Sequence, residues 1–394
     1  MKFCVIIIDG ASGWPLRERR GKTSLELAET PNLDRLAAEG MLGLARTVPH
    51  GMEPSSACAC MSIMGYDPAI YYRGRSAIEA AAMGVPIDKD EVVFRCNLVT
   101  VKDGMMFDYS AGHVLDSEAH ELVRALQSEL GSDTVRFYPG VSYRHLCKVK
   151  GRPGLLAADC TPPHDIPGKP VADFLPRGPG SDFLLDLMER SKDVLRSHPV
   201  NRSRISSGKA PATMIWLFWG SGTVPQLPRF NEAYGISAAM TSGVDLLRGL
   251  AKMTGIEVLD IQGVTGGSDN DYARQAGGAL DALGRLELVL VHVEAPDEAG
   301  HGGCIEEKIR AIEQVDSDIV GRFLDAGLSL RMLVMPDHAT PIDARTHVED
   351  PVPFVLWGPG FAGEKEGKFS ESDAGRTGVY IDRGYELMRM LVQK

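Results

Sequence analysis

What the chain lacks narrows its class. It has no long basic tract and carries a net charge of −11. Binding to a phosphate backbone relies on clustered Lys and Arg, so nucleic acid is not an expected partner. A small anionic substrate is not excluded, because local fields decide that. No apolar run approaches the length needed to span a membrane. The run Phe3–Ile8 near the start is too short for a signal peptide or a span, and Asp9 closes it. The expectation is a cytoplasmic protein without a membrane partner. Cysteine pairing is also missing: Cys4, Cys58, Cys60, Cys96, Cys147, Cys160 and Cys304 are odd in number and scattered. Cys58 and Cys60 are too close for a zinc knuckle or a thioredoxin-type motif. They read as small buried residues in a reducing compartment. There is no internal repeat, low-complexity tract or heptad seam, and no Walker A or protein-kinase motif set.

What is present is enough apolar sequence, 44% of 394 residues, for one large domain carrying a smaller one. The terminal regions alternate short apolar runs with longer amphipathic segments. Strands are expected at Phe3–Ile8, Ala238–Met240, Glu257–Ile261, Glu287–Val293, Arg331–Met335 and Val352–Leu356. Helices are expected at Pro31–Glu39, Ala77–Ala82, Gly243–Met253, Asn270–Leu283 and Ile305–Ala326. That alternation predicts an α/β core with a mostly parallel sheet covered by helices. The middle differs. A hairpin around Lys102-Asp103-Gly104, a helix near Ser117–Leu130, strands at Val135–Tyr138 and Ser142–Val149, and a Pro- and Gly-rich stretch predict an inserted, smaller α+β domain. Its expected bounds are 90–205, leaving 1–89 and 206–394 as the core.

The chemistry-bearing residues sit where the apolar runs end. Asp9 follows Phe3–Ile8; Asp297 and His301 follow Leu286–Val293; Asp337 and His338 follow Leu330–Met335; His347 precedes Val352–Trp357. In parallel sheets, ligand sites lie beyond the carboxyl ends of the strands. Carboxylates and imidazoles are ligands for divalent metals, and there are enough here for two. Asp297 and His301 are four apart and would share a helical face. Asp337 and His338 are adjacent and would diverge. Paired metals serve phosphoryl and hydrolytic chemistry. Between Pro49 and Pro68, a serine opening a helix would place an attached phosphate at the helix N-terminus. Ser55 alone reads as an ordinary N-cap. His292, inside an apolar run, and Glu294 read as structural; Trp216 and Trp219 read as packing residues.

These residues fall in motifs: Ile6-Ile7-Ile8-Asp9-Gly10, Thr30-Pro31-Asn32-Leu33-Asp34, Gly65-Tyr66-Asp67-Pro68, Tyr71-Tyr72-Arg73-Gly74-Arg75, Phe94-Arg95-Cys96-Asn97-Leu98, Glu294-Ala295-Pro296-Asp297-Glu298-Ala299-Gly300-His301, Pro336-Asp337-His338 and Arg345-Thr346-His347-Val348-Glu349-Asp350-Pro351. In this order, nearly end to end, the chain resembles the alkaline phosphatase superfamily and, within it, the cofactor-independent phosphoglycerate mutases of archaeal type. The resemblance implies an alkaline-phosphatase-like core and two divalent metals. One would be held by Asp297, His301 and His347, the other by Asp9, Asp337, His338 and a nucleophilic serine. Counting back from Gly65 puts that serine at Ser56. Manganese is the favoured ion on this ligand mixture, with magnesium or zinc as alternatives. The implied activity interconverts 3-phosphoglycerate and 2-phosphoglycerate through phosphoserine, with the insertion closing over the site.

The chain departs from the family pattern twice. Where members read Gly-Ser-Asp, it reads Ser55-Ser56-Ala57. Where they carry Arg-Ala-Gly-Arg, it reads Ser110-Ala111-Gly112-His113, which resembles a bacterial branch proposed to act as a homoserine kinase. Arg75, His113, Arg144, His145 and Lys209 are the candidate anion contacts on the small phosphorylated substrate. The alternatives are phosphoryl transfer to another acceptor such as homoserine, phosphomonoester hydrolysis, and a non-catalytic metabolite-binding protein, the last motivated by Ala57.

Overall fold

Lys2–Ile8 is a buried strand inside an eight-stranded sheet. The structure is a computed structural model that describes residues 1–223, 226–363 and 367–393. From edge to edge the strands are Tyr380–Ile381, Met41–Ala45, Val352–Trp357, Leu330–Met335, Lys2–Ile8, Leu288–Val293, Ala238–Thr241 and Glu257–Val258. Lys2–Ile8 pairs in parallel with Leu288–Val293 on one side and with Leu330–Met335 on the other. The sheet is parallel except around Val352–Trp357, which runs antiparallel to both neighbours. The expected α/β class therefore holds. The unbroken apolar runs are those of strands covered on both faces: Cys4, Ile6 and Ile8 pack with Val289, Val291 and Val293 and with helices Pro31–Glu39 and Tyr272–Leu283.

Register places the chemistry. Ile8 lies opposite Val293, and Ile7 opposite Met335. The central three strands thus end level, which sets Asp9, Glu294 and Asp337 side by side.

The expected helix over 305–326 is helical throughout but changes pitch. Ile305–Gln314 passes into a π-helical stretch, Val315–Val320, before Gly321–Asp325. The wider turn carries buried Asp316, whose carboxylate accepts from the backbone N–H of Asn32 (3.2 Å) and Leu33 (2.6 Å) and from Asn32 Nδ2 (3.0 Å). Asp316 therefore caps the helix Pro31–Glu39 from a remote element, where Thr30 makes no side-chain cap. Asp316→Ala should cost about 2–3 kcal/mol, combining a lost cap with buried donors left unpaired. Urea unfolding reads it, and a loss below about 0.5 kcal/mol would contradict the capping role.

Arg73–Val224 forms a second compact unit, and Met1–Tyr72 with Pro225–Lys394 the first. The expected insertion bounds, 90–205, are too narrow. Strand Met214–Ser221 pairs antiparallel with Glu91–Lys102 in the second unit's five-stranded sheet, and helix Arg75–Ala82 packs against both. The remaining strands there are Met105–Asp108, Val135–Tyr138 and Arg144–Lys150, all antiparallel. Helices Asp116–Leu130 and Ser181–Arg196 pack with this sheet over an apolar core that includes Trp216. Among the described residues no helix is long and apolar enough to cross a membrane.

Candidate metal centre

Asp297 lies in the first turn of the helix Ala295–Gly302, which follows strand Leu288–Val293 after Glu294 and has Pro296 in the same turn. That fixes Asp297 and His301 on one face. Asp297 Oδ2 lies 3.1 Å from His301 Nε2 and 3.4 Å from His347 Nε2, and the two imidazole nitrogens are 2.9 Å apart. His347 arrives on the loop before Val352–Trp357, steadied by the bridge between Val348 and Ala339. The second group is Asp9, Asp337 and His338. His338 Nε2 is 3.6 Å from Asp9 Oδ1, 3.3 Å from Asp337 Oδ2 and 3.2 Å from Ser56 Oγ. The His338 ring also stacks against that of His347, with centroids 3.9 Å apart, so the two groups adjoin. The structure brings all seven candidate ligands together within the first unit.

The tautomers show what these nitrogens are for. His301 Nδ1 faces the Arg345 carbonyl at 3.0 Å and His347 Nδ1 faces the Pro54 carbonyl at 3.2 Å. A carbonyl can only accept, so each Nδ1 carries a hydrogen, and each Nε2 is the nitrogen that can offer a lone pair once any proton on it is displaced. His338 follows the same rule through Thr340. That hydroxyl gives its hydrogen to Asp297 Oδ1 and is left to accept from His338 Nδ1 at 3.3 Å. Two Nε2 atoms 2.9 Å apart need a proton or a cation with them. Histidine that ligates through one nitrogen and donates from the other to a carbonyl is the usual metal-site arrangement. A further sign is Asp9 Oδ1, which is buried without a hydrogen-bond partner. The donors fit divalent cations: separations near 3.4 Å are what ligands about 2.1 Å from a tetrahedral ion require.

The electrostatics agree. Burial pushes the Asp9 carboxyl well above its ordinary range, and Asp337, Glu294 and Asp297 add to it. Burial likewise raises Glu294 to about 7. Asp297 goes the other way: burial opposes ionisation, but the His301 and His347 imidazoles reverse that and hold it well below the carboxylate range. His301 is raised to about 9, chiefly by its hydrogen bond to Asp297. Without a metal, a proton supplies the positive charge.

Ser55 and Ser56 divide their roles. Ser55 is the N-cap of helix Ser56–Ile63, accepting from Cys58 N–H, while Ser56 is the first helical residue and turns its hydroxyl to His338. Ala57 is fully buried. Cys60, one turn on, packs its thiol 3.7 Å from Asp337 Oδ2.

Several residues here escaped the sequence reading. Thr340 orients both Asp297 and His338. Lys308, fully buried, donates to the carbonyls of Ser12 (3.1 Å) and Thr340 (2.7 Å) and so ties the loops after two strands together. Burial lowers its amine to about 8. Its place three and four residues before buried Ala311 and Ile312 was the available signal. Gly10 has φ +61°, and a Cβ there would come within 2.4 Å of Asp297 Oδ1, so no other residue fits.

The second unit separates the expected anion contacts. His145 is a correction: it is buried on strand Arg144–Lys150, accepts from Gly140 N–H at 3.0 Å, and is pushed down to about 3 by burial, Arg95 and His120. Alternation along the strand turns Arg144 outward and His145 inward. His113, Arg144 and Lys209 are exposed. Arg75 stacks on Trp219 at 4.8 Å and reaches Glu79 at 3.2 Å, so Trp219 supports an arginine as well as packing. The Ser110–His113 loop is held from two sides. Asp108 accepts from Ser110 and Gly112 N–H, and buried Arg204 donates to the carbonyls of Ala111 and Gly112.

Residues 37–201 match the family described as 2,3-bisphosphoglycerate-independent phosphoglycerate mutase. A relative of that description from Methanothrix thermoacetophila is 48% identical over 396 residues, covering 100% of both chains. A solved structure from Pyrococcus horikoshii is similar with a TM-score of 0.82 at 27% identity, covering 99% of this chain and 96% of that one. The cofactor-independent phosphoglycerate mutase of Thermoplasma acidophilum is similar with a TM-score of 0.66 at 27% identity, covering 100% and 99%.

Proposed function

The chain belongs to the 2,3-bisphosphoglycerate-independent phosphoglycerate mutase family, and from that premise we propose that it interconverts 3-phosphoglycerate and 2-phosphoglycerate through a phosphoserine at Ser56, an isomerase of glycolysis and gluconeogenesis. The observation that carries the assignment is the Ser56 hydroxyl, 3.2 Å from His338 Nε2 where the two donor groups adjoin and at the start of a helix.

Asp297, His301 and His347 would hold one divalent cation, and Asp9, Asp337, His338 and Ser56 the other, manganese ahead of magnesium or zinc. Bound there, the cations supply Lewis acidity, neutralising charge on phosphoryl oxygens and easing loss of the serine proton. Ser56 Oγ bonds to phosphorus in line as the bond to the glycerate oxygen breaks. The proton lost by the serine balances the one the glycerate oxygen gains. The phosphoryl group then rests on the first residue of a helix, where backbone N–H groups and the macrodipole favour its charge. Glycerate presents its other hydroxyl, the transfer reverses onto it, and Ser56 recovers its proton.

The test is the purified protein assayed with manganese and 3-phosphoglycerate. Formation of 2-phosphoglycerate without added bisphosphoglycerate is expected. Absence of isomerisation with cations bound and the fold intact would remove the assignment. The Ser110–His113 loop, which carries no arginine, justifies a parallel assay with homoserine and ATP; phosphohomoserine there, with no 2-phosphoglycerate, would replace the mutase reading.

Chelation should inactivate reversibly, and manganese should restore activity. The pH dependence of uptake follows from His301. In the metal-free chain its imidazole stays protonated to about 9, and a cation must displace that proton. Manganese affinity should therefore rise with pH toward 9, with proton release visible in calorimetry run in buffers of different ionisation heat. Affinity independent of pH between 6 and 9 would count against His301 as a ligand.

A further inference from the structure

Four histidines meet at the strand ends, and one is wired the opposite way to the rest. His301, His338 and His347 each give up the Nδ1 hydrogen and turn Nε2 inward. His292 lies on strand Leu288–Val293 and is fully buried. Its Nε2 lies 2.8 Å from Asp9 Oδ2 and 3.7 Å from Glu294 Oε2. Its Nδ1 lies 3.0 Å from Ser242 Oγ, which already accepts from Val244 N–H at 3.0 Å.

We propose that His292 is a positioning residue for the cation ligand Asp9: its Nε2–H clamps Asp9 Oδ2 so that Oδ1 is presented to the cation, and the Ser242 hydroxyl holds the ring at Nδ1. The inference rests on the reading of Asp9 as a ligand given above. The tautomer is set from the Asp9 end. Once a cation holds Asp9 ionised, that carboxylate can only accept, so Nε2 must carry a hydrogen. Nδ1 is then the acceptor, and the Ser242 hydroxyl, which takes Val244 N–H on one lone pair, donates to it. The backbone beneath is held too: Gln275 Nε2 donates to the His292 carbonyl at 2.9 Å, and Asn270 Nδ2 donates to Gln275 Oε1 at 2.9 Å.

The result on Asp9 is an asymmetric carboxylate. Oδ2 is committed to His292. Oδ1 is buried, has no hydrogen-bond partner, and lies 3.6 Å from His338 Nε2 within the group of Asp9, Asp337 and His338. Asp9, His292 and Glu294 also lie close enough to hold an ion by themselves. That use needs an Nε2 lone pair, which this tautomer does not have. The trio is therefore a hydrogen-bonded clamp and not a third cation site. A buried carboxylate free to swing would lose the single orientation that a cation beside Asp337 and His338 requires, and hydrogen bonds behind a ligand are what hold it.

The experiment is calorimetric titration of chelator-treated full-length protein with manganese, alongside metal counting on the loaded protein. His292→Leu should weaken manganese binding about 10–100-fold. His292→Gln places an amide donor near the Nε2 position and should recover most of that loss, and Ser242→Ala should fall between. At saturating manganese, KM for phosphoglycerate should stay at the wild-type value. Wild-type affinity in His292→Leu would overturn the proposal. So would equal losses in His292→Leu and His292→Gln, or one more manganese per chain in wild type than in His292→Leu. Should His292→Leu fail to fold, Ser242→Ala against His292→Gln decides: wild-type binding in Ser242→Ala with impaired binding in His292→Gln overturns it. Asp9→Ala separates the two layers. If it binds manganese like wild type, the ligand assignment fails; if it loses binding and His292→Leu does not, only the clamp fails.

Discussion

Ser56→Ala is expected to abolish isomerisation, by about ten-thousand-fold or more, and to leave stability unchanged, because removing an attacking group eliminates the route and not merely a contact. The local structure makes this a clean substitution. Ser55, not Ser56, caps the helix, and Ser56 occupies its first position. Alanine is the best helix former, and the Ser56 hydroxyl contact that disappears is the one to His338. Ser55→Ala should show the converse: about 1 kcal/mol of stability lost through the missing cap, with the phosphoryl acceptor still in place. A quenched reaction of wild type with substrate should yield a phosphopeptide carrying the group on Ser56, and Ser56→Ala should yield none. Turnover of Ser56→Ala within tenfold of wild type, or label on Ser55, would end the nucleophile assignment.

The pairing of Ser55 and Ser56 shows what a one-dimensional reading can and cannot reach. Helix-start chemistry, acids and histidines after apolar runs, and the i, i+4 spacing of Asp297 and His301 are local patterns, so they were legible. The α/β alternation was legible for the same reason, since each run carries its own periodicity. Sheet membership was not. Met214–Ser221 is a run much like those of the core, and nothing within eight residues says that it pairs with Glu91–Lys102. That is why the insertion's expected bounds fell short at both ends. Partnerships across long loops were equally hidden. Thr340, Lys308 and Arg204 work through carbonyls or carboxylates whose identity depends on the finished fold. His292 read as structural because it lies in an apolar run; its neighbour is Asp9, 283 residues away, brought alongside by strand register. His145 erred in the other direction, because the strand's phase, not its composition, buried it.

Asp297→Ala should reduce turnover by about a thousand-fold or more and lower the cation count by one, since this carboxylate touches both His301 and His347. The variant's stability separates function from scaffolding. In the metal-free chain Asp297 is buried near Asp9, Asp337 and Glu294, and it is one of the charges that push the Asp9 and Glu294 carboxyls upward. Removing it relieves that repulsion but takes the partner from His301 and His347, so the metal-free variant should lose stability at neutral pH, by less than the roughly 3–5 kcal/mol that an ordinary buried ion-pair partner costs. The pH profile supplies a second signature. His301 in the folded metal-free chain titrates near 9, against an ordinary value of 6.5, mainly because of its hydrogen bond to Asp297. A raised folded value means a stabilising contribution that is complete below 6.5 and lost as pH climbs through 9. Asp297, depressed in the fold, contributes above its ordinary value of 3.8 and loses that contribution as pH falls through its own lower one. The metal-free wild type should therefore show a thermal midpoint that declines between pH 6.5 and 9, and Asp297→Ala should flatten that decline. A wild-type-like slope in the variant, or full turnover with both cations retained, would show that Asp297 neither charges His301 nor seats a cation.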